Sequence, residues 1–275
     1  EGGYYLWSAD ELINILTPDE RRVIESTWLG KSAAPFDAGY LPIWQQGYAM
    51  QYELTQSDRK LLESARQKLL QRRQQHRQIP VDDKLLAGWN GLALSAFSLA
   101  YKELGDAELK NTAGAIARYI AKSLVEDGNL IRASREGKPI GQASLADYAY
   151  VAEGFWHYYL LTGSKDDMNI AQSIIDAGWE KFYSSSGWNL GAMAGIESAG
   201  RQAIIADGPQ ASPSSVLLDI SYQLAKKTGD KQLGEKVQNA LGFDALGLSR
   251  DPFWYASQVG VIADVFLDST EKSID

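Results

Sequence analysis

Apolar and polar positions along this chain follow helical rather than strand spacing, and the breaks between periodic stretches carry the clearest signals. Ser8 through Glu11 and Thr17 through Glu20 both fit the capping box, in which a hydroxyl caps a helix whose third residue is Glu. The second box also has Pro18 at the first helical position. Short helices are predicted over 9–16 and 18–28. Residues 31–56 are rich in Gly, Pro and aromatic side chains without a clean period, and read as irregular. Residues 57–75 then form a long helical stretch. Its apolar positions are Leu61, Leu62, Ala65, Leu69 and Leu70, so one face is buried and the rest solvated.

After Pro80 the pattern repeats. Helices over 84–104 and on to 125 flank Gly105-Asp106, helices over 145–161 and on to 182 flank Gly163-Ser164, and helices over 213–228 and on to 241 flank Gly229-Asp230. A last helix follows Asp251-Pro252. The turn glycines lie 58 and 66 residues apart, and the pairs Asn129-Leu130 and Asn189-Leu190 lie 60 apart. In each turn Gly supplies a left-handed C-cap, and the Asp or Ser after it can cap the next helix. Hairpins of this kind cannot bury their apolar faces alone and stack into an open solenoid or a closed ring. Connections within hairpins are short. Those between hairpins are long, with strand-like pieces such as 129–133, and long loops gathered at one end favour a ring with a funnel mouth.

The expected fold is therefore all-α, an (α/α) helical-hairpin toroid. Residues 1–275 read as a single toroid region, with an irregular N-terminal segment over 1–56 and hairpins over 57–275. A six-hairpin ring at this repeat length needs about 360 residues, so the 275 residues present are expected to form an incomplete ring. Its open apolar edges would be covered by the N-terminal segment or by a second copy.

Composition narrows the chemistry. The net charge of −8 leaves no broad cationic surface for phosphate backbones, so nucleic acid is not an expected partner. The absence of cysteine removes disulfides, thiol nucleophiles and thiolate metal sites. No metal-ligand spacing is visible, and neither a metal nor another cofactor is expected. No apolar run approaches the ~20 residues of a membrane span, so no membrane association is expected. The first residue is Glu1 rather than Met. The start reads as a cut inside a longer chain, with any targeting signal upstream of it and a cytoplasmic location slightly favoured.

Each repeat places aspartate at or just ahead of its first helix: Asp82 and Asp83, then Asp147, then Asp207. In a ring of hairpins these carboxylates would share one mouth, and paired carboxylates are the equipment of glycoside chemistry. The alternative is that they cap helices and satisfy helix dipoles. Gly88 and Gly91, within the cluster from Asp82 to Gly91, weaken a helix by about 1 kcal/mol each relative to Ala. Close helix packing explains them on one reading, and room for a ligand beside Trp89 and Asn90 on the other. His157 lies in an apolar helix and His76 in a basic helix end, so a two-histidine epimerase mechanism is disfavoured. Ser212 before Pro213 reads as an N-cap rather than a nucleophile.

Three segments resemble the thioredoxin-domain-containing family related to spermatogenesis-associated protein 20. Glu1 through Ser8 with Glu11 resembles its E-G-x-[FY]-Y-x-W-[ST]-x-x-E segment. Arg72 through Leu92, including Pro80, Asp82, Asp83, Lys84, Trp89, Asn90 and Gly91, resembles its R-x-x-R-x-x-P-x-x-D-D-K-x-L-x-x-W-N-G-L segment. Asp147-Tyr148-Ala149 matches its D-Y-A. Asp207-Gly208 with Ser212 and Ser215 matches a further segment in part, with Ala211, Pro213 and Ser214 replacing its Pro, Gly and Asn. The resemblance implies the C-terminal part of a six-hairpin toroid similar to sugar epimerases and glycoside hydrolases, in a family whose reaction is not established. The expected function is a carbohydrate-active module acting on a small-molecule or glycan ligand, glycosidase-like or epimerase-like. Asp82, Asp83, Asp147 and Asp207 are its candidate acid/base residues, and Trp7, Lys84, Trp89, Asn90 and Tyr148 its candidate ligand contacts. The alternative is a non-catalytic glycan- or protein-binding module of a longer thioredoxin-domain protein. A homodimer, or association with an N-terminal thioredoxin-like region, is the expected assembly.

Overall fold

The computed structural model describes residues 3–30, 33–44, 54–79, 81–126, 129–190, 205–241, 248 and 251–271. Pro80, after which the repeats are expected to begin, lies outside the described residues. The chain divides into two compact units, Glu1–Asp82 and Asp83–Asp275.

The first unit contains α1 (Ala9–Ile15), α2 (Pro18–Ile24) continued by a π-helical turn over Glu25–Leu29, and α3 (Gln56–His76). Both capping boxes form. Ser8 Oγ accepts the Glu11 N–H while the Glu11 carboxylate accepts the Ser8 N–H, and Thr17 and Glu20 repeat the exchange. The division falls after Asp82 because α3 packs on α2 and turns Leu62, Ala65 and Leu69 into a core with Trp7, Leu12, Leu16, Val23 and Ile24. Each such side chain contributes about 1.5–3 kcal/mol on full burial. Glu20 is buried at the edge of this core. Burial alone would raise its pKa, but hydrogen bonds from Lys68, Ser64 and the Thr17 backbone, with the Lys68 charge, hold it at about 2.

The second unit is the hairpin array. Its helices are α4 (Ala87–Leu104), α5 (Ala107–Ser123), α6 (Leu145–Thr162), α7 (Lys165–Phe182), α8 (Pro213–Thr228), α9 (Lys231–Leu241) and α10 (Ala256–Glu271). Helices α4, α6, α8 and α10 pack side by side in one row, and α5, α7 and α9 pack behind them in a second. Gly105, Gly163 and Gly229 end α4, α6 and α8 at φ of 72°, 68° and 76°, the left-handed conformation that the turn chemistry requires. The all-α class and the hairpin arrangement are as expected from sequence. No described helix is long and apolar enough to cross a membrane.

Short strands fill the connections. These are β1 (Leu85–Leu86), β2 (Val125–Glu126), β3 (Asn129–Arg135) and β4 (Lys138–Gln142), with β5 (Tyr183–Ser184) and β6 (Gly187–Trp188) as a separate pair. Strand β3 pairs antiparallel with β1, β2 and β4, so the start of α4 and the start of α6 are held by one small sheet.

Helix α6 is the centre of the unit and is buried over most of its first three turns. It approaches α4 at backbone contact distance. A Cβ added at Gly91 would overlap the Tyr150 carbonyl, and one at Gly154 would lie 2.5 Å from the Gly91 carbonyl oxygen. Close helix packing is thus what Gly91 serves.

Candidate functional site

The helix-mouth aspartates are placed by their contacts. Asp147 is buried at the third position of α6, and its Oδ2 accepts from the Ser144 N–H and hydroxyl, both at 2.8 Å. Its Oδ1 accepts the Gly88 N–H at 3.2 Å, which ties the first turn of α4 to that of α6. Asp207 accepts the Ser212 N–H at 2.7 Å and the Ser257 N–H at 2.9 Å, clasping the starts of α8 and α10. Burial would raise its pKa, yet the Ser257, Ser212 and Ala256 hydrogen bonds lower it overall. Asp83 is half-exposed and paired with Arg135 at 2.6 Å, across the sheet edge. Asp82 and Lys84 are exposed. For Asp147 and Asp207, helix capping accounts for the contacts seen.

The ligand-contact candidates separate in the same way. Trp7 is fully buried in the first unit, with the Arg77 guanidinium 4.0 Å from its ring centroid. Tyr148 is buried in the second unit, where its hydroxyl accepts the Leu130 N–H at 3.1 Å. The Asn90 side chain donates to the Leu86 carbonyl at 2.8 Å and caps the turn it belongs to. Trp89 is 67% exposed at the start of α4. Of the predicted contacts described, Trp89 most clearly offers a free aromatic face.

A different set of acids gathers on the first row of helices. Glu153 on α6 is half-buried, and burial followed by the charge of Asp219 raises its pKa to about 7. Asp219 on α8 is also half-buried. Burial raises its pKa, hydrogen bonds from Gln223 oppose the rise, and the charge of Asp264 on α10 adds to it. The two acids are thus linked, the Asp219 charge favouring the protonated form of Glu153. Gln223 is fixed in orientation. The Trp156 indole N–H, which can only donate, points at the Gln223 carbonyl oxygen at 2.7 Å. The Gln223 amide nitrogen therefore faces Asp219, 3.0 Å from both carboxylate oxygens.

His157 stands one turn beyond Glu153 on the same face of α6. Its Nδ1 is 2.7 Å from the Ser95 hydroxyl of α4. Burial, then the charge of Lys102, lowers its pKa, so the ring is neutral near pH 7. Tyr150, one turn before Glu153, donates to the Ala211 carbonyl at 2.7 Å. Burial and the charges of Glu153 and Asp207 push its pKa up to about 12, so it stays protonated. Among the described residues no group of three or more His, Asp or Glu side chains is placed to hold a metal ion. The arrangement instead offers a carboxyl raised to about 7 beside a second half-buried carboxyl, with the His157 imidazole one turn away.

Sequence reasoning passed over Glu153 and Asp219, although a signal was present. After Asp147, Glu153 is the one acidic side chain in the apolar run of α6, and His157 follows at the i+4 spacing of a shared face. An ionisable pair on a helix that is otherwise buried asks for a partner on the neighbouring helix.

Comparison with known proteins bears on the whole chain. No family model matches it. Human spermatogenesis-associated protein 20 is 26% identical over 272 residues, an alignment covering 86% of this chain and 35% of that protein. The rat protein of the same name is 28% identical over 191 residues, covering 65% of this chain and 24% of that protein. The chain is similar to spermatogenesis-associated protein 20 over most of its length. It spans between a quarter and about a third of the length of these curated relatives.

Among solved structures, a sugar epimerase from a ruminal bacterium has a TM-score of 0.48 at 18% identity, covering 60% of this chain and 44% of that chain. The cellobiose 2-epimerase of Spirochaeta thermophila has a TM-score of 0.46 at 12% identity, covering 57% and 42%. A family 105 glycoside hydrolase of C. acetobutylicum has a TM-score of 0.45 at 15% identity, covering 65% and 56%. No residue of the acid face is assigned through these structures.

Proposed function

We propose that the second unit is a carbohydrate-active module in which Glu153 donates a proton and Asp219 is the charged carboxylate beside it. The observation that carries this reading is the Glu153 carboxyl, raised to about 7 with Asp219 as the neighbouring charge. In the reacting form, Glu153 keeps its proton while Asp219 carries the charge. A glycosidic oxygen held against Glu153 receives its proton as the bond to the anomeric carbon breaks. Asp219 then stabilises the positive character at that carbon, or takes a proton from the water that attacks it. Neutral His157, on the same face, supports the epimerase-like variant as a base for a carbon-bound proton. Asp83 and Trp89, both accessible near the start of α4, are the candidate outer contacts for a sugar.

The test is a panel of glycosides and reducing oligosaccharides assayed for bond cleavage and for epimer formation with the full chain. Glu153→Gln is expected to lower kcat by about 100-fold or more, the usual range for a lost general acid. Asp147→Asn is expected to retain kcat while lowering stability. Turnover that survives Glu153→Gln unchanged would sink the assignment. A second reading, a non-catalytic binding module, is favoured by the exposed apolar positions Leu85, Trp89 and Leu99 along the start and one side of α4. Ligand binding without turnover, lost in Trp89→Ala and retained in Glu153→Gln, would select it.

A further inference from the structure

The acid face leaves one built cavity unused. The β3–β4 hairpin, the first turn of α6 and the end of α7 enclose about 480 Å³. Its floor is apolar and aromatic, with Leu130 beside Tyr148 and Phe182, whose ring centroids lie 5.4 Å apart. Its rim is polar, formed by Gln142, Asn189 and Lys181 among others. Tyr148 precedes Glu153 by five residues, which at 3.6 residues per turn places them about 140° apart around α6. The cavity and the acid face therefore open on different sides of that helix.

Two donors in the cavity are not used by the protein. Tyr148 is only 2% exposed, and its hydroxyl oxygen accepts the Leu130 N–H. Among the described residues its own proton has no acceptor. Burial and then the Asp147 charge favour the protonated phenol, against the opposing effect of the Leu130 N–H, so the donor is present at neutral pH. Lys181 is exposed at the rim and makes no ion pair among the described residues. An ammonium group selects a carboxylate, and a buried phenol donor selects a hydroxyl or ether oxygen. The Gln142 side-chain amide can both donate and accept, which suits further hydroxyls. The aromatic floor suits the C–H face of a sugar ring. The volume lies within the range of small-molecule sites.

The geometry points to a second ligand site here, one that takes a hydroxylated carboxylate of monosaccharide size, with the carboxylate on Lys181 and a ligand oxygen on the Tyr148 hydroxyl. The site stands whether or not the acid face is catalytic. Closed-ring sugar acids and open-chain aldonic acids share this chemistry, and one titration separates them.

The full chain is titrated by calorimetry and by saturation-transfer NMR with D-glucuronate, D-gluconate, D-glucose and acetate. D-glucuronate is expected to bind at least fivefold more tightly than D-glucose or acetate. D-gluconate binding equally well identifies an open-chain ligand as a match for the site, and weaker binding identifies the ring. Lys181→Gln, an exposed substitution that preserves the fold, is expected to weaken D-glucuronate by about fivefold, as for a partly solvated charge-assisted hydrogen bond. Asp219→Asn is expected to leave it unchanged. The site is refuted by equal binding of D-glucuronate and D-glucose, by binding indifferent to Lys181→Gln, or by no binding of either acid up to about 10 mM.

Discussion

Glu153→Gln also changes how stability depends on pH, and the size of the change can be worked out. A carboxyl whose pKa is about 7 in the folded chain, against an ordinary value of 4.5, binds its proton more tightly when folded. Below the ordinary value both states keep the proton, and the stabilisation is fully present. Between the two values the unfolded chain releases its proton first, so stability falls as pH rises. Above about 7 the stabilisation is gone. The shift corresponds to about 3 kcal/mol over this window. The glutamine side chain has no proton to lose, so the variant lacks this fall. Asp219 and His157 are present in both proteins, so the difference between the two curves reports Glu153 together with its coupling to Asp219. Urea unfolding of wild type and Glu153→Gln from about pH 5 to about pH 8, with hydrogen exchange of α6 amides as a local probe, measures that difference. The expected result is that wild type loses about 2 to 3 kcal/mol relative to the variant across the range. Curves that run parallel within about 0.5 kcal/mol would show that Glu153 is not held protonated by burial and by Asp219.

Other predictions follow from packing and capping. Gly91→Ala should destabilise by about 2 kcal/mol in urea unfolding, because the added Cβ meets Tyr150 and Val151 backbone, outweighing the helix propensity of Ala. Gly260→Ala, facing open space in α10, should instead be neutral or stabilise by up to about 1 kcal/mol. Asp147→Ala removes the capping-box acceptor and the link to Gly88, and should cost about 1 to 2 kcal/mol without flattening the pH profile assigned to Glu153. Lys68→Met leaves the Glu20 carboxylate buried without its cation and should cost about 1 to 2 kcal/mol at neutral pH, after allowance for solvent at Lys68. In wild type the Glu20 contribution is present above 4.5 and lost as pH falls toward 2, a window separate from that of Glu153.

Much of the fold is legible because the signals are local. The Ser8 and Thr17 boxes form as written, the helix from Pro213 to Thr228 has the bounds that its N-cap and its C-cap glycine predict, and Asn129 opens a strand. Helix α3 is harder to place from sequence. Its apolar stripe shows that one face is buried but carries no label for the core it joins, and packing assigns it to Trp7, Val23 and Ile24. The candidate site is less legible still. Asp147 and Asp207 stand out at helix starts, where first-turn N–H groups need acceptors, a requirement that holds with or without a catalytic role.

The sequence by itself determined where helices begin and end, that they pair as hairpins about sixty residues long, and that Gly turns join them, because caps and left-handed turns depend on residues within one helical turn. Only the tertiary structure decided which acids meet. Glu153 and Asp219 are 66 residues apart, and the apolar run around Glu153 does not name its partner. The packing of α6 against α8 removes water from both and brings their charges within range, and the two effects together raise the Glu153 carboxyl toward neutral pH.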